Sequence, residues 1–274
     1  MNDSNKNELI NISNKIRYYI ISCAKKEHTY HFGACLSCVE LLVYIYFQLF
    51  DNWDANYKNR DRFILSKGHA AFTLYAVLAL KKYITIEDLY SYKEIGSPLQ
   101  GHTDMKQNIA IDFSNASLGQ GLSAGIGYAL SNAINHNNNR TIVLVGDGET
   151  QEGQIWEAAM CASKYQLSNL YCIIDYNKYQ VDGAVSDIMP IENIRQRWES
   201  FSWNVFEISN GHDFQKIDSV FLSITKNNQP NLIIAHTIKG KGISFMENKI
   251  EWHSNYLSDE SFRIAIKEVE LSEH

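Results

Sequence analysis

Two short apolar runs, Thr141-Ile142-Val143-Leu144-Val145 and Leu170-Tyr171-Cys172-Ile173-Ile174, each stop abruptly at polar residues, and the stretch between them is compatible with a helix. Runs of this length, rich in β-branched residues, read as strands. The first opens into Gly146-Asp147-Gly148-Glu149-Thr150-Gln151-Glu152-Gly153 and the second into Asp175-Tyr176-Asn177-Lys178, with Asn177 thirty residues after Asp147. The result is a strand, helix, strand unit with a polar group beyond each strand's carboxyl end, which is where parallel α/β sheets bind ligands.

The rest of the chain continues that alternation. Leu9, Ile12, Ile16, Tyr19, Ile20 and Cys23 repeat at helical spacing, and a second helix is expected from about Ser37 to Phe50. Phe63-Ile64-Leu65 reads as a short strand and Ala70 to Tyr83 as a helix, while Thr85-Ile86-Glu87-Asp88 is a capping start for another. A tightly packed helix is expected from Gly119 to Ala133. Strands are expected at Asn204 to Ile208 and Leu232 to Ala235, with helices near 213–226 and 258–270. The asparagine-rich spots at 135–139 and 226–228 read as turns. The predicted fold is α/β, a mostly parallel sheet with helices on both faces. Without repeats or a long linker, one domain over 1–274 with a C-terminal extension from about 240 is the simplest architecture.

The polar ends suit a metal ion that carries a diphosphate. Mg²⁺ or Ca²⁺ takes oxygen donors, and beside a diphosphate the protein need add only a carboxylate, an amide oxygen and a main-chain carbonyl. Asp147 and Asn177 supply the first two. Gly146 and Gly148 let the backbone approach phosphate, and a helix starting near 153 would turn its N-terminus toward the anion. An ordinary Asp-Gly turn or loop asparagine explains either half alone; both at this spacing, each behind a strand, favour a ligand site.

This Gly-Asp-Gly and downstream Asn pattern resembles the signature of thiamine-diphosphate enzymes. Five further blocks narrow the resemblance to transketolases, particularly the N-terminal subunit of split transketolases, from about residue 8 to about 265. They are His31-Phe32-Gly33-Ala34-Cys35-Leu36-Ser37; Ser66-Lys67-Gly68-His69-Ala70; Leu99-Gln100-Gly101-His102; Ser117-Leu118-Gly119-Gln120-Gly121-Leu122-Ser123; and Lys239 to Asn248 with Trp252-His253. The resemblance implies ketol transfer with thiamine diphosphate and Mg²⁺ or Ca²⁺, the metal held by Asp147, Asn177 and the carbonyl of Tyr179. It also implies cofactor contacts from Ser117, Leu118, Gly119, Gly146, Asp147, Gly148, Glu149 and Asn177. His31, His69, His102 and His253 would line the channel to the reacting carbon, where imidazole can donate or accept near neutral pH. Glu152 would join an acidic network near the subunit contact, although a helix N-terminal turn favours a carboxylate anyway. His28, His136, His212, His236 and His274 fall outside the matched blocks.

The same resemblance makes this chain half an enzyme. The pyrimidine domain, with the glutamate that activates the cofactor, and the C-terminal domain are not found here. A C-terminal transketolase subunit is the expected partner, in an α₂β₂ assembly with closed two-fold symmetry.

Composition narrows the remaining options. With 45% hydrophobic and 20% charged residues the chain can bury a large core, and a net charge of −6 without a basic cluster argues against nucleic acid. No apolar run approaches the roughly 20 residues a membrane helix needs, and the polar N-terminus has no signal-peptide character, so the cytoplasm is the expected compartment. Cys23, Cys35, Cys38, Cys161 and Cys172 read as reduced core residues, with Cys35-Leu36-Ser37-Cys38 weighed as a redox or zinc pair and set aside for want of a second pair.

Departures from the family pattern bear on substrate. Thr29-Tyr30 replaces a serine-glycine, Thr103 a proline, Ser254 a glycine and Asn115-Ala116 a threonine-glycine. Tyr30 is expected to narrow the channel, and Ala116 keeps a backbone contact only if its φ is negative. Rival readings are a 2-oxo acid dehydrogenase subunit, a deoxyxylulose phosphate synthase, a specialised-metabolism enzyme with a non-sugar acceptor, and a catalytically silent cofactor-binding scaffold.

Overall fold

The computed structural model describes residues 1–24, 28–50, 53–225 and 227–271. Helix α1 (Asp3–Ser22) starts at Asn2, whose side chain accepts from the Asn5 N–H. Helices α2 (Phe32–Ser37) and α3 (Val39–Tyr44) follow, and a π-helical turn, Ile45–Leu49, ends the segment. Strand β1 (Arg62–Leu65) leads through a 3₁₀ turn into α4 (Ala71–Leu80). Next come α5 (Ile86–Tyr90), α6 (Gln120–Ile134), β2 (Thr141–Gly146), α7 (Gly153–Lys164) and β3 (Leu170–Tyr176). The chain continues through α8 (Val185–Ile188), α9 (Ile194–Ser200), β4 (Asn204–Ile208), α10 (Phe214–Ser223), β5 (Asn231–His236) and α11 (Asp259–Leu271).

The expected elements are present with one rearrangement. The helix expected from Ser37 to Phe50 starts earlier, is interrupted at Cys38 (φ −107°), and finishes in the π turn closed by the Phe50 N–H on the Ile45 carbonyl. Ser37 lies at that interruption, its hydroxyl donating to the Ala34 carbonyl and to Asp175, which ties the end of α2 to the sheet. Thr85 and Asp88 form the reciprocal capping box that their spacing suggested. Residue 226, the expected end of α10 and the start of the 226–228 turn, lies outside the described residues.

Among the described residues five strands pair in parallel, in the order β1-β2-β3-β5-β4. Successive side chains of a strand point to opposite faces, and the two cores divide accordingly. Phe63, Leu65, Ile142, Leu144, Ile173 and Ile233 pack with α1 to α4, α10 and α11. Ile64, Val143, Val145, Cys172, Ile174 and Ile234 pack with α6, α7 and α9. Helix α6 lies close to the sheet: a Cβ on Gly125 would come within 2.5 Å of Val143 Cγ2, so only glycine permits that approach.

Register fixes where the site falls. Gly146 stands opposite Asp175, and Asp175 opposite Ala235, so the residues just beyond, Asp147, Asn177 and Thr237, leave the sheet side by side. Five cysteines are free, and Cys35 and Cys38 are buried, their thiols pushed up by burial, Cys38 to about 12.

Candidate active site

A cavity of about 350 Å³ opens at the carboxyl edge of the sheet, lined among others by His31, His69, His253, Asp147, Asn177 and Tyr179. Leu118, Gly146, Gly148, Glu149 and Glu152 line it as well. Segments far apart in the chain therefore converge on one space.

At its acidic end the donor set is compact. Asp147 is buried, and its carboxylate accepts from the Gly148 and Lys178 backbone N–H groups. Burial first, then the Asp175 charge, pushes its carboxyl up to about 7. Asn177 is held at both ends, its Nδ2 donating to Asp175 (3.2 Å) and its Oδ1 accepting from the Tyr179 N–H (3.1 Å). The Tyr179 carbonyl accepts from Lys239 Nζ (3.3 Å). One carboxylate, one amide oxygen and one carbonyl fit a hard cation, and a single carboxylate suits a cation that brings an anionic ligand with it. A cation there would also offset the burial of Asp147 and its repulsion from Asp175.

Beneath this set lies a charged layer that the sequence alone does not assign. Asp175 is fully buried and accepts from Lys67, Ser37, Thr237 and Asn177. Lys67, only 1% exposed, also donates to the Ala34 carbonyl (3.1 Å). The available signal is a carboxylate ending an apolar strand together with a lysine in Ser66-Lys67-Gly68-His69. Buried charges of opposite sign are almost always paired.

Glu149 is arranged to position the loops of the cavity. Its Oε1 accepts from Ser66 Oγ and the Gly119 N–H (2.9 Å), and its Oε2 from the Gly146 N–H (2.9 Å). The N–H groups of Gly119 and Gly146 are thus both engaged by this carboxylate. Ser117 is exposed and outside the cavity lining, whereas Leu118 is within it. Ala116 lines the cavity and is not among the residues with a positive φ.

The histidine end is a cluster of rings. His31 lies 5.4 Å from His69, 5.7 Å from His253 and 6.4 Å from His102, centroid to centroid, and His69 and His253 are 5.3 Å apart. His102 belongs to the cluster through His31 without lining the cavity itself. Burial, then Lys93, holds His31 down at about 4; burial, then Lys239, holds His253 at about 3. His69 and His102 are lowered too, burial being the main cause. All four are therefore neutral near pH 7, able to donate at one nitrogen and accept at the other. His31 Nδ1 is buried without a hydrogen-bond partner, an uncommon state for a buried polar atom.

Tyr30 does not narrow this space. It is 4% exposed, its ring packs against Phe32 and Tyr92 in the core, and its hydroxyl donates to the Cys23 carbonyl (3.4 Å). Glu152 is exposed at the cavity wall.

The profile of the family described as "Transketolase, thiamine diphosphate binding domain" matches residues 9–271. The chain is 39% identical over 260 residues to SqwG, the 6-deoxy-6-sulfo-D-fructose transketolase subunit of Clostridium sp. (strain MSTE9), covering 94% of each. It is also 39% identical to one subunit of the apulose-4-phosphate transketolase of Phocaeicola vulgatus, over 94% of this chain and 92% of that one. Among solved structures, the transketolase of Campylobacter jejuni superposes with a TM-score of 0.89 at 29% identity, over 98% of this chain but 43% of that one.

Proposed function

The chain belongs to the transketolase family, and from that premise we propose that its cavity is the diphosphate and metal half of a ketol-transfer site that a partner chain completes. It is the N-terminal subunit of a two-component transketolase and binds thiamine diphosphate. Mg²⁺ or Ca²⁺ would be held by Asp147, Asn177 and the Tyr179 carbonyl, and Leu118 and Gly148 would lie beside the diphosphate. When bound, thiamine diphosphate supplies the electron sink that lets the bond beside a ketose carbonyl break.

The chain's own residues bind, orient and move protons. His31, His69 and His102, neutral at working pH, accept a hydrogen bond from a substrate hydroxyl or donate one to a carbonyl oxygen, and His253, whose Nδ1 faces Lys239, donates. Asp175 orients the Asn177 amide, and Glu149 keeps the Gly119 and Gly146 loops apart by a fixed distance. Glu152 faces the partner side, where the pyrimidine domain and its activating glutamate belong. The whole chain acts as one diphosphate-binding domain in a cytoplasmic α₂β₂ assembly.

The named relatives act on a sulfonated and a phosphorylated sugar. The substrate assigned here is accordingly a ketose with a terminal anionic group. The observation that carries the reading is the convergence of the Asp147, Asn177 and Tyr179 donors with the histidine cluster in one cavity. Four retained histidines also disfavour a silent scaffold. The test is purification from the source through a tag on this chain, with thiamine diphosphate and Mg²⁺. A stoichiometric partner of roughly 300 residues, sized for two domains, and ketol transfer by the complex are expected. A homo-oligomer that binds cofactor without transferring a ketol unit would refute the reading.

A further inference from the structure

A buried ionic network that the proposed chemistry does not use lies beneath the turn at 238–241. Arg17 and Glu40, each 6% exposed, pair at 2.6 Å. Glu40 Oε2 lies 2.8 Å from His212 Nδ1, and His212 Nε2 accepts from the Ile238 N–H at 2.8 Å. Both imidazole nitrogens are thus occupied, with the proton on Nδ1 facing Glu40. At the other end of the turn, Arg17 Nε donates to the Lys241 carbonyl (3.1 Å). One network therefore grips both flanks of the turn.

Lys239 sits between those flanks. Its backbone is held by the Asn248 N–H on its carbonyl (2.9 Å), and the next residue, Gly240, donates to the Gly33 carbonyl (3.0 Å). Its stem crosses Gly33, where an added Cβ would come within 2.8 Å of Lys239 Cγ. The ammonium reaches the cavity, 2.9 Å from His253 Nδ1. An ammonium has donors and no acceptor, so His253 Nδ1 must accept and its proton must reside on Nε2. Elsewhere in histidine chemistry, too, the partner of one ring nitrogen sets the state of the other.

We infer that Arg17, Glu40 and His212 are positioning residues that, by fixing the turn at 238–241, hold Lys239 against His253 and so set His253 as an Nε2–H donor in the site. His253 touches the cavity; the other three act only through the turn. The catalytic value of that donor rests on the ketol-transfer reading, whereas the tautomer itself does not.

The experiment is nitrogen NMR on the full chain labelled with ¹⁵N-histidine, with His253 assigned by the His253→Gln variant. It needs no cofactor, metal or partner, so its failure is distinguishable from failure of the ketol-transfer reading. Wild-type His253 is expected to show the Nε2–H pattern. Lys239→Met and His212→Leu should both convert it to mixed tautomers, whereas His212→Gln, whose side-chain oxygen can still accept from Ile238, should retain it. If His212→Leu fails to fold, His212→Asn, too short to reach Ile238, takes its place and should give mixed tautomers. An Nδ1–H pattern in the wild type, or an unchanged pattern in folded Lys239→Met, His212→Leu or His212→Asn, overturns the inference.

Discussion

The acidic and histidine ends of the cavity are built in opposite ways. Asp147, Asn177 and Tyr179 follow two adjacent strands, and the parallel register alone brings them together. The four histidines come from loops spread between residues 31 and 253 and meet only through the packing of the whole domain. Burial acts on both, favouring the neutral form of each group. At one end that raises the Asp147 carboxyl to about 7, an arrangement relieved by a cation. At the other it lowers His31 to about 4 and His253 to about 3, leaving neutral imidazoles with one donor and one acceptor nitrogen each. One force thus creates a demand for charge at one end and a tolerance of neutrality at the other.

The contrast can be tested most strongly at its base. Asp175→Asn leaves Lys67 without its counter-charge and should cost about 3–5 kcal/mol, read as a lower urea midpoint. Asp147→Ala should lower metal-dependent thiamine-diphosphate affinity by about a hundredfold or more, from the loss of roughly 3 kcal/mol of charge-assisted binding, measured by titration calorimetry. Unchanged affinity would show that the acidic end is not the anchor. In the complex with its partner, His69→Ala should lower kcat by about a hundredfold, some 2.7 kcal/mol, with the fold intact by circular dichroism. Loss of the fold instead would make His69 a structural residue.

Acidity should separate the two ends in the ligand-free chain. The histidines fall from an ordinary 6.5, so between about 6.5 and about 3 the unfolded chain binds more protons, and their contribution is complete above 6.5 and lost as pH falls through 4 and 3. Asp147 rises from 3.8 to about 7, so there the native chain binds more protons and stability declines as pH rises between those values. Melting temperature against pH should flatten on its acid side in His253→Gln and on its neutral side in Asp147→Asn. The smallest effect is expected at Tyr30→Phe, about 1 kcal/mol for a hydroxyl to a carbonyl, with the substrate profile unchanged.

Local signals carried most of the architecture into the sequence. Strand β2, the Asp147 turn and β3 are readable because β-branched apolar runs, glycine and a polar stop coincide within one segment. Helix α9 is not: it has seven residues, starts at Asn193 with φ 59° and no side-chain cap, and is held by Trp198, which is fully buried. The break at Cys38 depends on Ser37 reaching Asp175 across 138 residues, a contact no local window contains. The same applies to the site. Histidines and metal donors announce themselves by type within short blocks, whereas the Lys67–Asp175 pair, the Glu149 bonds and the inward turn of the Tyr30 ring are products of tertiary packing.

The Glu149 carboxylate has a dynamic consequence. One side chain joins the loop after β1, the start of α6 and the end of β2, and Ser66 Oγ in turn accepts from the Gly121 N–H at 3.2 Å. None of these loops can open without releasing the shared acceptor, so they form a single cooperative unit. In deuterium exchange the amides of Gly119, Gly121 and Gly146 should lose protection in one concerted event, and replacing Glu149 should uncouple them. The rim of the cavity therefore breathes as one piece.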